Sequence, residues 1–265
     1  METLEHFNAG RLDEAISSAT SEVKASPSDI GRRALLADLL CFSADYDRAD
    51  KQLDAITKLE PNAMTVVSLT RQLIRAETWR QDFFLDGRTP EFLTQPCESA
   101  QQQIRASIAI REGEMSEAAD LLAQVEEDRA AQACRAGEQE FDDIRDCDDL
   151  VAGVLEVLTS TGKYFWVPMD TIVELEPRPI ERPRDLLWRQ ARLEVRDGPE
   201  GEVYLPALYA PMPADAEPDM RLGRIVDFSE EAPVRGVGRR QFLLGDDAVS
   251  INDLPFLTFV SGQGA

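Results

Sequence analysis

Apolar residues recur at helical spacing through the first half of this chain and in short runs through the second. Between Ile30 and Ser43 they fall at Leu35, Leu36, Leu39, Leu40 and Phe42. Between Met64 and Leu85 they fall at Val66, Val67, Leu69, Leu73, Ile74, Phe83 and Phe84. Residues three and four apart share one face of a helix, so both stretches predict amphipathic helices. Asp86-Gly87 and Thr89-Pro90 end the longer one, because glycine accepts the left-handed terminal conformation and proline cannot continue a helix. A weaker pattern predicts another helix from Glu98 to Arg111.

The helical half carries a period. Residues 9–15 read AGRLDEA and residues 44–49 read ADYDRA. Leu12 maps onto Tyr46, Ala15 onto Ala49 and Pro27 onto Pro61, each 34 residues on, which is the period of a tetratricopeptide helix–turn–helix unit. Alanines at equivalent places let paired helices approach closely. A third copy, GEMSEAADLL from Gly113, sets Met115 and Ala118 in the Leu12 and Ala15 roles, 69 residues after the second. Gly137 is expected to end that repeat's second helix. The polar stretch from Ala130 to Leu150 then reads as a hinge, and Leu150 to Leu158 as a short apolar helix.

From Gly162 onward the period shortens. Tyr164–Val167 and Thr171–Glu176 are rich in β-branched and aromatic residues and predict strands. Arg189–Val195 and Glu202–Pro206 flank Arg196-Asp197-Gly198-Pro199-Glu200-Gly201, a hairpin signature. Further strands are expected at Leu222–Phe228, Arg239–Leu244 and Pro255–Val260, around a proline-rich loop from Tyr209 to Asp219. So many short strands predict a small antiparallel barrel or strongly bent sheet. The expected class is α+β and multidomain: a tetratricopeptide-like helical domain over 1–135, then a β-barrel-like domain over 136–265 with a short leading helix. Trp166 and Trp188 are expected in its core; as an exposed ligand platform they would be open to fluorescence quenchers.

Composition narrows the function classes. With 50 acidic residues against 28 basic, the net charge is −22. That field repels phosphate backbones and anionic membrane surfaces, so neither nucleic acid nor membrane is an expected partner. The N-terminus lacks a basic segment followed by an apolar one, so no signal peptide is visible. Cys41, Cys97, Cys134 and Cys147 are widely spaced and form no CxxC pair, which suits free thiols in a reducing cytoplasm.

Candidate chemistry is sparse. The single histidine, His6, has no partner histidine for a metal site or a triad. No glycine-rich phosphate cradle is present, so no nucleotide cofactor is expected. Asp142, Asp143, Asp146, Asp148 and Asp149 invite a metal reading. They lack the glycine and the distant glutamate of a calcium loop, and capping or solvated carboxylates are the alternative. No catalytic residue, cofactor or metal is assigned, and the protein is expected not to be an enzyme. A hydrolase or transferase using Asp146 and Asp148 stays open as a rival.

Four stretches together are similar to one family. They are the GRLDEA repeat; Arg71 with Ile74-Arg75-Ala-Glu77, Arg80, Phe84 and Arg88-Thr89-Pro90; Phe141, Ile144, Asp146-Cys-Asp148 and Val154-Leu155-Glu156; and Tyr164-Phe-Trp166-Val-Pro168 with Arg184-Asp185-Leu186-Leu187-Trp188. The combination resembles the ImpE/SciE/TagJ proteins, accessory components encoded with bacterial type VI secretion systems. The likeness spans roughly residues 5–190 and is weakest in the acidic C-terminal portion. Ala152-Gly153 stands where the family pattern has Gly-Pro.

The resemblance implies a cytoplasmic, non-enzymatic adaptor that contacts the small subunit of the contractile sheath and the ClpV-type AAA+ ATPase. A helical repeat gripping a partner helix suits that role physically. It also raises Leu4, Phe7, Leu12, Ile16 and Val23 as an exposed apolar stripe offered to the ATPase, against simple packing of the repeat. A scaffold for another cytoplasmic protein is the alternative within the same class. Sheath and ATPase genes next to this one would favour the first.

Overall fold

The computed structural model describes residues 2–260 of the 265-residue chain. Seven helices come first: α1 (Glu2–Asn8), α2 (Leu12–Ala25), α3 (Ile30–Phe42), α4 (Tyr46–Leu59), α5 (Met64–Asp86), α6 (Glu98–Glu112) and α7 (Met115–Asp128). Local chemistry sets their ends. Asp29 and Asp45 accept the backbone N–H groups of Arg32 and Arg48, capping α3 and α4 at 3.1 and 3.3 Å. Gly87, at φ +81°, closes α5 in the left-handed conformation.

The helices α2, α4 and α7 have 14 residues each and begin at the three repeat-equivalent positions. Ala15, Ala49 and Ala118 are completely buried, so the small residues sit where helices meet. Consecutive helices from α1 to α5 pack on one another, and α6 packs on α7.

The second part is antiparallel sheet. Its strands are β1 (Cys134–Ala136), β2 (Gln139–Phe141), β3 (Ile144–Asp146), β4 (Val154–Leu158), β5 (Tyr164–Pro168), β6 (Ile172–Pro177), β7 (Trp188–Val195), β8 (Glu200–Pro206), β9 (Val226–Phe228), β10 (Gly236–Gly238), β11 (Gln241–Leu244), β12 (Asp247–Ser250) and β13 (Leu257–Phe259). A four-residue helix, α8 (Pro218–Arg221), follows β8. Eight strands form the main sheet in the order β2-β1-β13-β6-β7-β8-β4-β5, with β12-β11-β3 and β10-β9 as smaller sheets.

Three expectations are corrected. The sheet is not closed into a barrel: β2 and β5 are its edges and do not pair. Helices cover one face and the small β3 sheet the other, so burial is achieved without closure. The segment Leu150–Leu158 is not a helix; a 3₁₀ turn at Asp149–Val151 leads into strand β4. All five β4 residues are buried, and a strand covered on both faces loses its apolar–polar alternation, here leaving Glu156 as the one polar residue among apolar ones. Gly137 turns the β1–β2 hairpin rather than ending a helix, because α7 already stops at Asp128. The hinge stretch is thus built into β1, β2 and β3. The β7–β8 hairpin forms with Trp188 opposite Pro206 and Glu194 opposite Glu200.

Strand β4 organises the two cores. Val154 and Leu158 face the helices with Tyr164, Trp166 and Trp188, in the cluster that also holds Leu39, Leu73 and Phe83. Leu155 and Val157 face the opposite way, toward Ile172, Leu193 and Phe242. Glu156 therefore lies on the helix-facing side, between two apolar neighbours. Edge strand β5 is shielded by Glu91, whose backbone N–H donates to Tyr164 and whose carbonyl accepts from Trp166, at 2.9 and 3.0 Å.

Candidate functional site

Glu156 is completely buried, and such a carboxylate is tolerable when paired and hydrogen-bonded. Arg80 of α5 donates from Nε to Oε1 at 2.9 Å and from Nη2 to Oε2 at 3.2 Å. The Tyr164 hydroxyl and Arg240 Nη2 donate to the same carboxylate. Arg80 also donates to Glu77 at 3.1 Å and to the Leu208 carbonyl at 3.0 Å. Trp188 Nε1 donates to the other Glu77 oxygen at 3.2 Å, and Trp166 Nε1 to the Tyr164 hydroxyl at 2.6 Å. Both tryptophans are core residues, as expected, with their polar edges tied into this network.

The network continues into the former hinge. Arg240 Nε lies 3.5 Å from Asp146 Oδ2, and among the described residues neither atom has a hydrogen-bond partner. Asp146 Oδ1 accepts from the Tyr209 hydroxyl and the Asp148 N–H, both at 2.9 Å. Asp148 accepts from Arg235 Nε at 2.9 Å and from the Gly236 N–H at 3.1 Å. Burial pushes the Asp146 carboxyl up to about 6 against the opposing pull of Arg240. Burial likewise brings Arg240 down to about 10, with Asp146 opposing. Burial raises both tyrosine hydroxyls well above their ordinary range, so they donate as neutral groups.

Of the hinge carboxylates, Asp146 and Asp148 face arginines and backbone N–H groups. Asp143 binds Arg129, and Asp149 accepts from Arg145 at 2.8 Å. Among the described residues no group of three or more His, Cys, Asp or Glu side chains is placed to hold a metal ion. His6 is occupied locally, accepting from Arg11 at 3.1 Å and lying 3.6 Å from Glu2.

The N-terminal stripe is mostly turned inward. Phe7, Leu12 and Val23 are buried in the core, Ile16 is half-buried against it, and Leu4 is half-buried. One apolar surface that opens outward is a groove of about 270 Å³ between the helices. Leu53 and Ile56 of α4 and Val67 of α5 line its base; Ile30 of α3 and Val66 of α5 stand exposed at its rim. Its remaining wall comes from the β part of the chain, through Arg182 and Arg184. A 3₁₀ turn at Pro183–Leu186, between β6 and β7, brings them there by packing against α3.

Residues 138–258 match the ImpE protein family. The chain is also 31% identical over 255 residues to a Pseudomonas aeruginosa protein described as type VI secretion system accessory component TagJ, covering 96% of this chain and 90% of that one. The chain belongs to the ImpE family. A crystal structure of a Vibrio parahaemolyticus protein shares this fold at a TM-score of 0.90 with 28% identity, over 99% of both chains.

The extent of the match corrects one expectation. The C-terminal portion, expected to resemble the family least, lies inside the ImpE match up to residue 258. The residues that carry the ImpE likeness also converge in space. Glu77, Arg80, Asp146, Asp148, Glu156, Tyr164, Trp166 and Trp188 come from separate stretches and together make the buried network. Arg240, Tyr209 and Arg235 complete it without standing out in the sequence. The one signal among them is the arginine pair Arg239-Arg240 that opens the predicted strand Arg239–Leu244.

Proposed function

We propose that this protein is a cytoplasmic, non-enzymatic adaptor of a bacterial type VI secretion system. Its helical part, residues 1–135, is read as a tetratricopeptide-like array that grips a protein partner. The β part, residues 136–265, holds that array in place and orients it. The partners are the small subunit of the contractile sheath and the ClpV-type ATPase. The observation that carries this reading is the likeness to the TagJ accessory component along 96% of this chain. The 34-residue period and the outward-facing apolar groove support it from the residues themselves.

Partner contact is assigned to the groove rather than to Leu4, Phe7, Leu12, Ile16 and Val23, of which Phe7, Leu12 and Val23 are buried and Leu4 and Ile16 half-buried. No helix among the described residues is long and apolar enough to cross a membrane, which suits a partner-binding protein in aqueous surroundings. The test is a pull-down with purified sheath small subunit and purified ClpV-type ATPase. Binding of either one is expected; failure to bind both overturns the adaptor reading.

A further inference from the structure

We propose that the groove between α3, α4 and α5 accepts an amphipathic segment of a partner protein bearing a carboxylate beside its apolar face, and that Arg182 and Arg184 receive that carboxylate. The proposal rests on the adaptor reading and deepens it, since it names the chemistry of the bound segment and gives the β part a direct share in the site.

The apolar half of the argument is geometric. Val66 is 52% exposed and Ile30 is 38% exposed, and both line the groove together with the buried Leu53, Ile56 and Val67. A groove of about 270 Å³ has room for two or three aliphatic side chains, too little for a drug-sized molecule that would be enclosed. A segment laying its apolar face across the rim fits the space better.

The polar half is a matter of charge. This chain has 50 acidic residues, and several half-exposed arginines elsewhere are held in ion pairs: Arg71 with Asp50 at 2.6 Å, Arg178 with Glu202 at 2.7 Å. Among the described residues neither Arg182 nor Arg184 forms an ion pair. Arg184 makes one side-chain hydrogen bond, to the Thr70 hydroxyl, which fixes its guanidinium against α5. Asp185 accepts from the backbone N–H groups of Glu181 and Arg182, at 3.0 and 3.1 Å, and so locks the turn that presents both arginines. Arginine donates in a planar fork that matches a carboxylate, and two of them at an apolar rim select for one.

Asp38 is the internal competitor. It lines the groove close enough to both arginines to feel their charge, yet burial pushes its carboxyl up to about 6. It neutralises part of their field and leaves their donors open. Removing its charge therefore strengthens the site for an incoming carboxylate.

The experiment measures the affinity of the full-length protein for purified sheath small subunit by calorimetry, at two salt concentrations. Arg182→Glu/Arg184→Glu is expected to weaken binding at least tenfold and to flatten its salt dependence. Val66→Asp is expected to weaken it similarly, and Asp38→Asn to tighten it a few-fold. Arg192→Glu, a half-exposed arginine on the sheet away from the groove, should leave it unchanged, and thermal melts show which variants remain folded. If the wild type binds and the double arginine variant, still folded, binds equally well with the same salt dependence, the groove proposal falls while the adaptor reading stands. If the wild type does not bind this subunit, the proposal falls with it, and the ATPase pull-down then decides the adaptor reading.

Discussion

Arg80 on the long helix α5 and Glu156 on the central strand β4 meet as a two-point pair, through contacts of 2.9 and 3.2 Å, with both side chains essentially excluded from solvent. One residue belongs to the helical part and the other to the sheet, 76 positions apart in the chain. Their partners, Glu77, Arg240 and Tyr164, extend the contact to both sides of the seam. An apolar seam would hold the two parts together at many relative orientations. A fork-to-carboxylate pair, in contrast, specifies one.

Glu156→Gln keeps the shape and removes the charge, leaving Arg80 and Arg240 buried with one carboxylate fewer. Breaking a buried pair from one side costs about 3–5 kcal/mol. We expect urea unfolding to show a loss of that size, with far-ultraviolet circular dichroism unchanged in the absence of denaturant. A loss below about 1 kcal/mol would show that the pair does not hold the seam.

Much of this architecture is legible in the sequence, and what is not has physical causes. Helices α3, α5 and α6 follow from their apolar period because each has a solvated face that breaks the pattern. Strand β4 does not, because burial on both sides erases its alternation and an apolar run of that length fits either structure. The open sheet reads as a barrel in the sequence because strand count says nothing about which edges meet; β13 enters between β1 and β6 from the far end of the chain. Glu77, Arg80, Glu156 and Trp188 can each be picked out singly. Their convergence depends on long-range packing of α5 against β4 and β5, which no local spacing encodes.

Asp146 makes the stability depend on pH. Its carboxyl is raised from 3.8 to about 6, so the folded state binds this proton more tightly than the unfolded chain does. The contribution is therefore fully present below pH 3.8 and is lost as the pH rises through about 6. In Asp146→Asn that dependence is absent. Relative to the variant, the wild type should lose up to about 3 kcal/mol between pH 4 and pH 7, because each tenfold difference in proton affinity is worth about 1.4 kcal/mol. Parallel stability curves for the two proteins would contradict the placement of Asp146 as a buried, incompletely bonded carboxylate.

The three tryptophans should separate by quenching. Trp166 is fully buried and Trp188 is 2% exposed, whereas Trp79 is half-buried with Arg88 stacked 3.7 Å from its ring. Trp79→Phe leaves the two core rings as the emitters. We expect its fluorescence to be blue-shifted relative to wild type and to resist acrylamide until the protein unfolds. Ready quenching of the folded variant would mean that Trp166 or Trp188 is open to solvent.

The turn joining β4 to β5 rests on helix α5, and glycine substitutions can separate that contact from backbone strain. Gly162 has φ +81°, and a Cβ added there would meet the Gln72 side chain and lie 3.1 Å from Arg75 Cδ. Gly113 has nearly the same backbone, φ +82°, with nothing within 4 Å of the added atom. Gly113→Ala should therefore cost the left-handed strain, about 1–2 kcal/mol. Gly162→Ala bears that strain and also displaces Gln72, whose buried Oε1 has no hydrogen-bond partner among the described residues to hold it. An additional loss of about 1–3 kcal/mol is expected, as for an overpacked site. Gln72→Ala in the same chain should recover part of that loss. Equal costs at the two glycines, or no recovery, would mean that the turn is not pressed against α5.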